Sequence, residues 1–100
     1  MMVVVPASGA GLRLGGGVPK QFRLLGGKPI LWRTLSVFDA LDCVEEIAVA
    51  VPEGYEGEVE GYGFAKVRHI VSGKGTRAES VYAALRCFVS KPKQIVLIHD

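Results

Sequence analysis

Four apolar runs punctuate the chain, and amphipathic stretches lie between them. Residues 2–5, Met-Val-Val-Val, are continuously apolar rather than alternating. A strand covered by helices on both faces reads that way, so the run predicts a buried parallel strand that stops at Pro6. Pro29 suits the first position of a helix. Ile30, Leu31, Thr34, Leu35 and Phe38 then share one face, so a helix is expected to run to about Leu41. Residues 46–51 predict a second strand, closed by Pro52. Residues 52–64 are acidic and glycine-rich and predict a loop with one helical turn. Residues 67–71 predict a third strand. Thr76-Arg77-Ala78-Glu79 has the form of a capping box. Val81, Ala84, Leu85 and Phe88 carry that helix to about Val89, Lys91-Pro92 ends it, and residues 94–98 predict a fourth strand. Strands alternating with helices predict an α/β fold with a mainly parallel sheet and flanking helices.

The length of 100 residues allows one domain. Natural domains seldom end on a buried parallel strand with no helix after it. The expectation is therefore a truncated unit, residues 1–100 being the N-terminal portion of a longer catalytic domain. With 49% apolar and 22% charged residues, the composition is that of a globular protein. No apolar run approaches the ~20 residues of a membrane span. The N-terminal apolar run has no basic region before it, as a signal peptide would. Cys43 and Cys87 show no Cys-x-x-Cys spacing. They suit a reduced, cytoplasmic chain in which free cysteines act as small buried hydrophobes.

The net charge of +2 hides an asymmetry. Residues 1–38 hold five basic side chains and no acid, whereas residues 39–60 hold eight acids and no Lys or Arg. Seven of the thirteen glycines fall within residues 9–27, inside the basic segment. A basic, glycine-dense segment directly after a strand suits an anion such as a phosphate. Its main-chain N–H groups are open to approach and its field is positive. Two familiar phosphate motifs fail here. The dinucleotide fingerprint needs a third glycine where Leu14 stands, and an acid well before Asp39. The Walker A loop needs Gly-Lys-Ser/Thr, but Gly16 is followed by Gly17 and Val18. What remains is Gly9, Gly11 and Arg13, with Lys20 seven residues beyond the arginine. An arginine grips a phosphate with two donors and a lysine acts as a mobile point charge, so the pair suits a polyphosphate.

These residues resemble a known family. Val3-Val4-Val5-Pro6-Ala7-Ser8-Gly9-Ala10-Gly11-Leu12-Arg13, followed by Pro19-Lys20-Gln21-Phe22, is similar to the opening of the 2-C-methyl-D-erythritol 4-phosphate cytidylyltransferases of the non-mevalonate isoprenoid pathway. Gly73-Lys74-Gly75-Thr76-Arg77-Ala78-Glu79-Ser80-Val81 resembles that family's Gly-Gly-x-x-Arg-x-x-Ser-Val. Ile98-His99-Asp100 resembles the start of its His-Asp-Ala-Ala-Arg-Pro. The chain departs from the family pattern in three places. Ser8 stands for a usual alanine, Leu14 for a methionine and Lys74 for a glycine.

The resemblance implies a Rossmann-like fold of the nucleotide-diphospho-sugar transferase type. It also implies a nucleotidyltransferase that joins CTP to methylerythritol phosphate with release of pyrophosphate. It assigns Arg13 and Lys20 to the α-phosphate transition state and the leaving group. It assigns Gly9, Ala10 and Gly11 to the phosphates through their main-chain N–H groups, and Ala7 and Ser8 to the cytosine edge. Gly73, Lys74 and Gly75 would close over the base, and Ser80 would bond the base or ribose. Asp100 would hold Mg²⁺ or a ribose hydroxyl. The implied partners are CTP and a small polyol phosphate, with no nucleic acid and no membrane, in an enzyme that is a homodimer at full length. Ribitol 5-phosphate is the alternative second substrate, and a non-catalytic nucleotide-binding module is the alternative class. On ordinary grounds Thr76 is a helix cap, Arg77 pairs within its loop, and His69 and His99 are structural. Trp32 and Phe38 belong to the core or to a helix face.

Overall fold

The computed structural model describes residues 1–8, 18–72, 77–88 and 96–98. β1 (Met2–Pro6) lies inside a parallel sheet, one residue longer than the apolar run predicts. It pairs on one side with β4 (Glu46–Val51), matching Val4 to Ala48, and on the other with β6 (Val96–Ile98), matching Val4 to Ile98. β5 (Val67–Ser72) lies outside β4, so the order is β5-β4-β1-β6 with every pairing parallel. The β4–β5 register shifts between Ile47 and Ala48, leaving the exposed Arg68 as the extra residue of a bulge.

Alternate residues of each central strand feed different cores. Val3 and Val5 join Ile47, Val49 and Val51 against Leu31, Leu35 and Phe38 of α1 (Ile30–Asp39) and Val59 of α2 (Glu56–Gly61). Met2, Val4 and Ala48 face the other way. They pack with Ala84 of α3 (Arg77–Leu85) and with Phe88 of the 3₁₀ turn Arg86–Phe88. Burial on both faces is the reason residues 2–5 and 46–51 carry no polar alternation.

The element boundaries diverge from the sequence reading where side chains or turns intervene. Pro29 is not helical. Its ψ of 146° is extended, and it pairs with Leu24 in a small antiparallel hairpin of β2 (Leu24–Leu25) and β3 (Lys28–Pro29). Gly26 and Gly27 turn that hairpin at φ of 63° and 85°, the left-handed pair that a two-residue type I′ turn demands. Arg33 Nε donates to the Leu25 carbonyl at 2.7 Å and Nη2 to that of Gly26 at 3.1 Å, tying the hairpin to α1. A Cβ at Gly26 would meet Arg33 Nη2 at 2.8 Å. α1 stops at Asp39, short of Leu41, where the Asp39 carboxylate accepts the Lys66 main-chain N–H at 3.0 Å. The expected single turn in 52–64 is α2, six residues long. α3 gives way to a 3₁₀ turn at Arg86 rather than continuing to 89, and residues 89, 94 and 95 lie outside the described residues, as does the Thr76 cap.

Cys43 corrects the expectation of two buried thiols. It is exposed in the short connection to β4, where its neighbour Val44 takes the buried position. Cys87 is half-buried, with Sγ directed at the Ala83 carbonyl, and burial raises its thiol pKa. His69 is structural, its Nε2 lying 3.0 Å from Glu46 Oε1 and its ring edge-on to Phe88. Trp32 is half-buried against Phe64, with the Lys28 ammonium 4.8 Å from its ring, and Phe38 is buried.

Candidate functional site

The chain runs outward from β1 through α1 to β4 and through α2 to β5. It then returns with α3 to place β6 on the opposite side of β1. The direction of winding reverses at β1, and in an open parallel sheet a ligand crevice lies beyond the carboxyl ends of the strands at such a point. The residues singled out in the sequence follow those carboxyl ends. Ala7 and Ser8 follow β1, residues 73–75 follow β5, and residues 99–100 follow β6.

Ala7 is buried, and its N–H donates to the Ala50 carbonyl at 2.7 Å, which carries the β1–β4 ladder one step past the strand. Ser8 comes next and is half-buried. Its hydroxyl is hydrogen-bonded to the hydroxyl of Ser80, 72 positions away in the chain. Ser80 lies in the first turn of α3 and is only 1% exposed. The topology explains the meeting. β5 and β1 are parallel, so a helix leaving β5 begins at the edge where β1 ends, and α3 then packs across β1 and β4. Two of the predicted nucleotide-binding residues are thereby brought together.

Lys20 is exposed at the start of a 3₁₀ turn, Lys20–Phe22. The turn is closed by Phe22 N–H donating to the Pro19 carbonyl at 2.9 Å and Arg23 N–H donating to that of Lys20 at 3.2 Å. Phe22 and Pro19 are buried. The Phe22 ring stacks on Tyr55 with centroids 4.4 Å apart and belongs to the same apolar cluster as Val5 and Ala7. The Pro-Lys-Gln-Phe segment is therefore an apolar anchor that presents a cation to solvent. Among the described residues the Lys20 ammonium has no hydrogen-bond or ion-pair partner. The predictions for Gly9, Ala10, Gly11, Arg13, Gly73, Lys74, Gly75 and Asp100 lie outside the described residues.

The sequence reading missed a polar cluster at the same edge. The Glu56 carboxylate, at the start of α2, accepts the Ser72 hydroxyl at 2.7 Å and the Gly54 N–H at 2.9 Å. The Ser72 bond, followed by main-chain N–H groups, holds the Glu56 pKa below its ordinary value of 4.5. Gly54 and Glu56 are close enough in sequence to suggest a turn, but no local spacing pointed to Ser72. Among the described residues no three His, Cys, Asp or Glu side chains cluster as a metal site, and no helix is long and apolar enough to cross a membrane.

The family model for IspD, 2-C-methyl-D-erythritol 4-phosphate cytidylyltransferase, matches residues 1–100. The chain belongs to the IspD family. A protein of that description from Geotalea uraniireducens is 45% identical over 103 residues, covering 97% of this chain and 44% of the relative. One from Geobacter metallireducens is 41% identical over 107 residues, covering all of this chain and 46% of the relative. The chain thus spans less than half the length of these curated relatives. The solved 4-diphosphocytidyl-2C-methyl-D-erythritol synthase of Anaerococcus prevotii superposes with a TM-score of 0.75 at 24% identity, over 99% of this chain and 41% of the other. A solved inositol-1-phosphate CTP transferase from T. maritima superposes with a TM-score of 0.57 at 26% identity, over 97% and 42%. The IspD fold is therefore the Rossmann-like, mainly parallel α/β architecture that the resemblance implied, covered here only in part.

Proposed function

We propose that this chain supplies the nucleotide-binding part of an enzyme that joins CTP to 2-C-methyl-D-erythritol 4-phosphate. An oxygen of the sugar-alcohol phosphate attacks the α-phosphorus of CTP. The bond from the α-phosphorus to the bridging oxygen breaks, and pyrophosphate leaves with its electron pair. A phosphate monoester has a second pKa of ~6, so the nucleophile is already largely ionised at neutral pH and no general base is needed. The obstacle is electrostatic, because one anion approaches another and charge builds on the leaving group. Arg13 and Lys20 answer that charge with their cationic side chains. Gly9, Ala10 and Gly11 offer N–H groups to the phosphates. The main chain of Ala7 and Ser8 meets the cytosine edge, residues Gly73, Lys74 and Gly75 cover the base, and Ser80 bonds the base or ribose.

Mg²⁺ fits this donor set, because it takes one or two carboxylates and completes its shell with phosphate oxygens and water. Asp100 would supply such a carboxylate, and the ion would neutralise triphosphate charge. The proposed setting is the cytoplasm, and the proposed assembly at full length is a homodimer.

The observation that carries this reading is the bond between Ser8 and Ser80 at the carboxyl edge, in a chain matched by the IspD family over residues 1–100. That match supports methylerythritol phosphate over ribitol 5-phosphate as second substrate. Calorimetry of the chain with CTP, UTP, ATP and GTP, with and without Mg²⁺, tests the nucleotide. CTP is expected to bind tightest and to gain from Mg²⁺. Equal or absent binding for all four overturns the reading.

A further inference from the structure

We infer that Tyr55 is a positioning residue that acts through its ring contact with Phe22 and sets where the Lys20 ammonium stands for the triphosphate. This role rests on the cytidylyl reading of the site and deepens it. It follows from where the sheet puts the segment after β4. β4 lies between β1 and β5, so the residues leaving its carboxyl end can reach both the segment that leads from β1 to α1 and the end of β5. Tyr55 meets Phe22 on the first side, and its neighbour Glu56 accepts the Ser72 hydroxyl on the second.

The Lys20 turn is too short to hold its own position. A 3₁₀ turn of three residues has few internal bonds, and their geometry is poorer than in an α-helix. Its place is set by the anchor beneath it, the buried Phe22 ring. The Tyr55 ring forms one wall of that anchor, with centroids 4.4 Å apart and planes tilted by 31°, close to the offset stacking that aromatic pairs favour. Tyr55 is itself held on both sides. Its N–H donates to the Pro52 carbonyl at 3.1 Å, and its carbonyl accepts the Glu58 N–H at 3.2 Å. The Glu56 carboxylate brackets it, accepting the Gly54 N–H at 2.9 Å and the Ser72 hydroxyl at 2.7 Å. A tyrosine side chain turns about only two torsions, so a fixed main chain leaves its ring little freedom. Lys20 differs, because its four-carbon stem is flexible and the space its ammonium samples is centred on its own main chain. A shift of the turn moves that whole space. The Tyr55 contact therefore bears on the phosphates, which Lys20 is proposed to meet, and not on the nucleoside.

The test is a double-mutant cycle on Tyr55 and Lys20, read by calorimetry with two probes, CTP and CMP. Tyr55→Ala is expected to weaken CTP binding about fivefold, the order expected of residues coupled through a main-chain shift, and to leave CMP binding nearly unchanged. Tyr55→Phe, which keeps the ring, is expected to bind both probes as the parent chain does. The double variant is expected to lose no more CTP affinity than Lys20→Ala alone, since no cation is left to place. If Tyr55→Ala fails to fold, Tyr55→Leu keeps an apolar side chain there without the ring and carries the same expectation. Tyr55→Ala binding CTP as tightly as the parent chain overturns the positioning role. Equal losses for CTP and CMP also overturn it, since they mark a general loss of structure, as do losses that add in the double variant. Lys20→Ala binding CTP unchanged overturns the phosphate role of Lys20 and this role with it. A parent chain that binds no CTP overturns the cytidylyl reading and both roles together.

Discussion

Lys20 and Phe22 stand two residues apart and do opposite things. Phe22 closes the core beneath the 3₁₀ turn, and Lys20 leaves its ammonium in solvent. Phe22→Ala should therefore destabilise the chain by about 3–5 kcal/mol through the cavity it opens against Tyr55. Lys20→Ala should change stability by less than about 0.5 kcal/mol, as ordinary surface substitutions do. It should nevertheless weaken CTP binding more than CMP binding, because only the triphosphate reaches both proposed cations. Urea unfolding and calorimetry separate the two effects, and equal losses of CTP and CMP on Lys20→Ala would speak against the phosphate role. The residue types were legible in the sequence, with an apolar aromatic beside a cation. The division between them was not, because three residues are too few to show a period. Cys43 marks the same limit, since its type favours burial and only the path of the chain puts it outside.

At the scale of elements, punctuation decided more than periodicity. Gly26-Gly27 was counted only within the glycine-dense segment, yet it turns a hairpin that holds Pro29 extended instead of starting a helix there. α2 was half-legible, since its acidic surface hid Val59, a lone apolar anchor in a short helix. Its start is tied to the end of β5 by Glu56 and Ser72, and that link has an acid signature. The Glu56 pKa is lowered on folding, so its contribution is present above the ordinary value of 4.5 and is lost as pH falls through the lower folded value. Ser72→Ala should remove the largest cause of that lowering. The melting temperature of the variant should then fall less than that of the parent between pH of about 6 and about 3. Parallel melting curves for the two would show that the bond has no electrostatic consequence.

The sheet is a layer filled from both sides, and among the described residues the α3 side is the thinner packing. Ala84 and Ala48 are fully buried there between larger neighbours, with Met2, Val4 and Phe88 around them. Ala84 lets α3 lie close to β1, and this approach allows Ser80 to reach Ser8. Ala84→Leu should overpack that contact at a cost of about 1–3 kcal/mol and should weaken CTP binding as α3 is lifted. Thermal unfolding beside CTP calorimetry checks it. Lost stability with intact CTP affinity would uncouple the helix height from the site.

The sequence alone determined that the chain is a parallel α/β unit with a basic, glycine-dense segment after its first strand. Burial on two faces leaves unbroken apolar runs, and the chemistry of glycine and cations is local. Tertiary structure decided the strand order, with β1 between β4 and β6, and with it the edge at which α3 begins. Periodicity reports whether a residue is buried, not which distant residue buries it. Ser8 and Ser80 meet only because two parallel strands end at one edge and a small alanine lets the helix between them settle close.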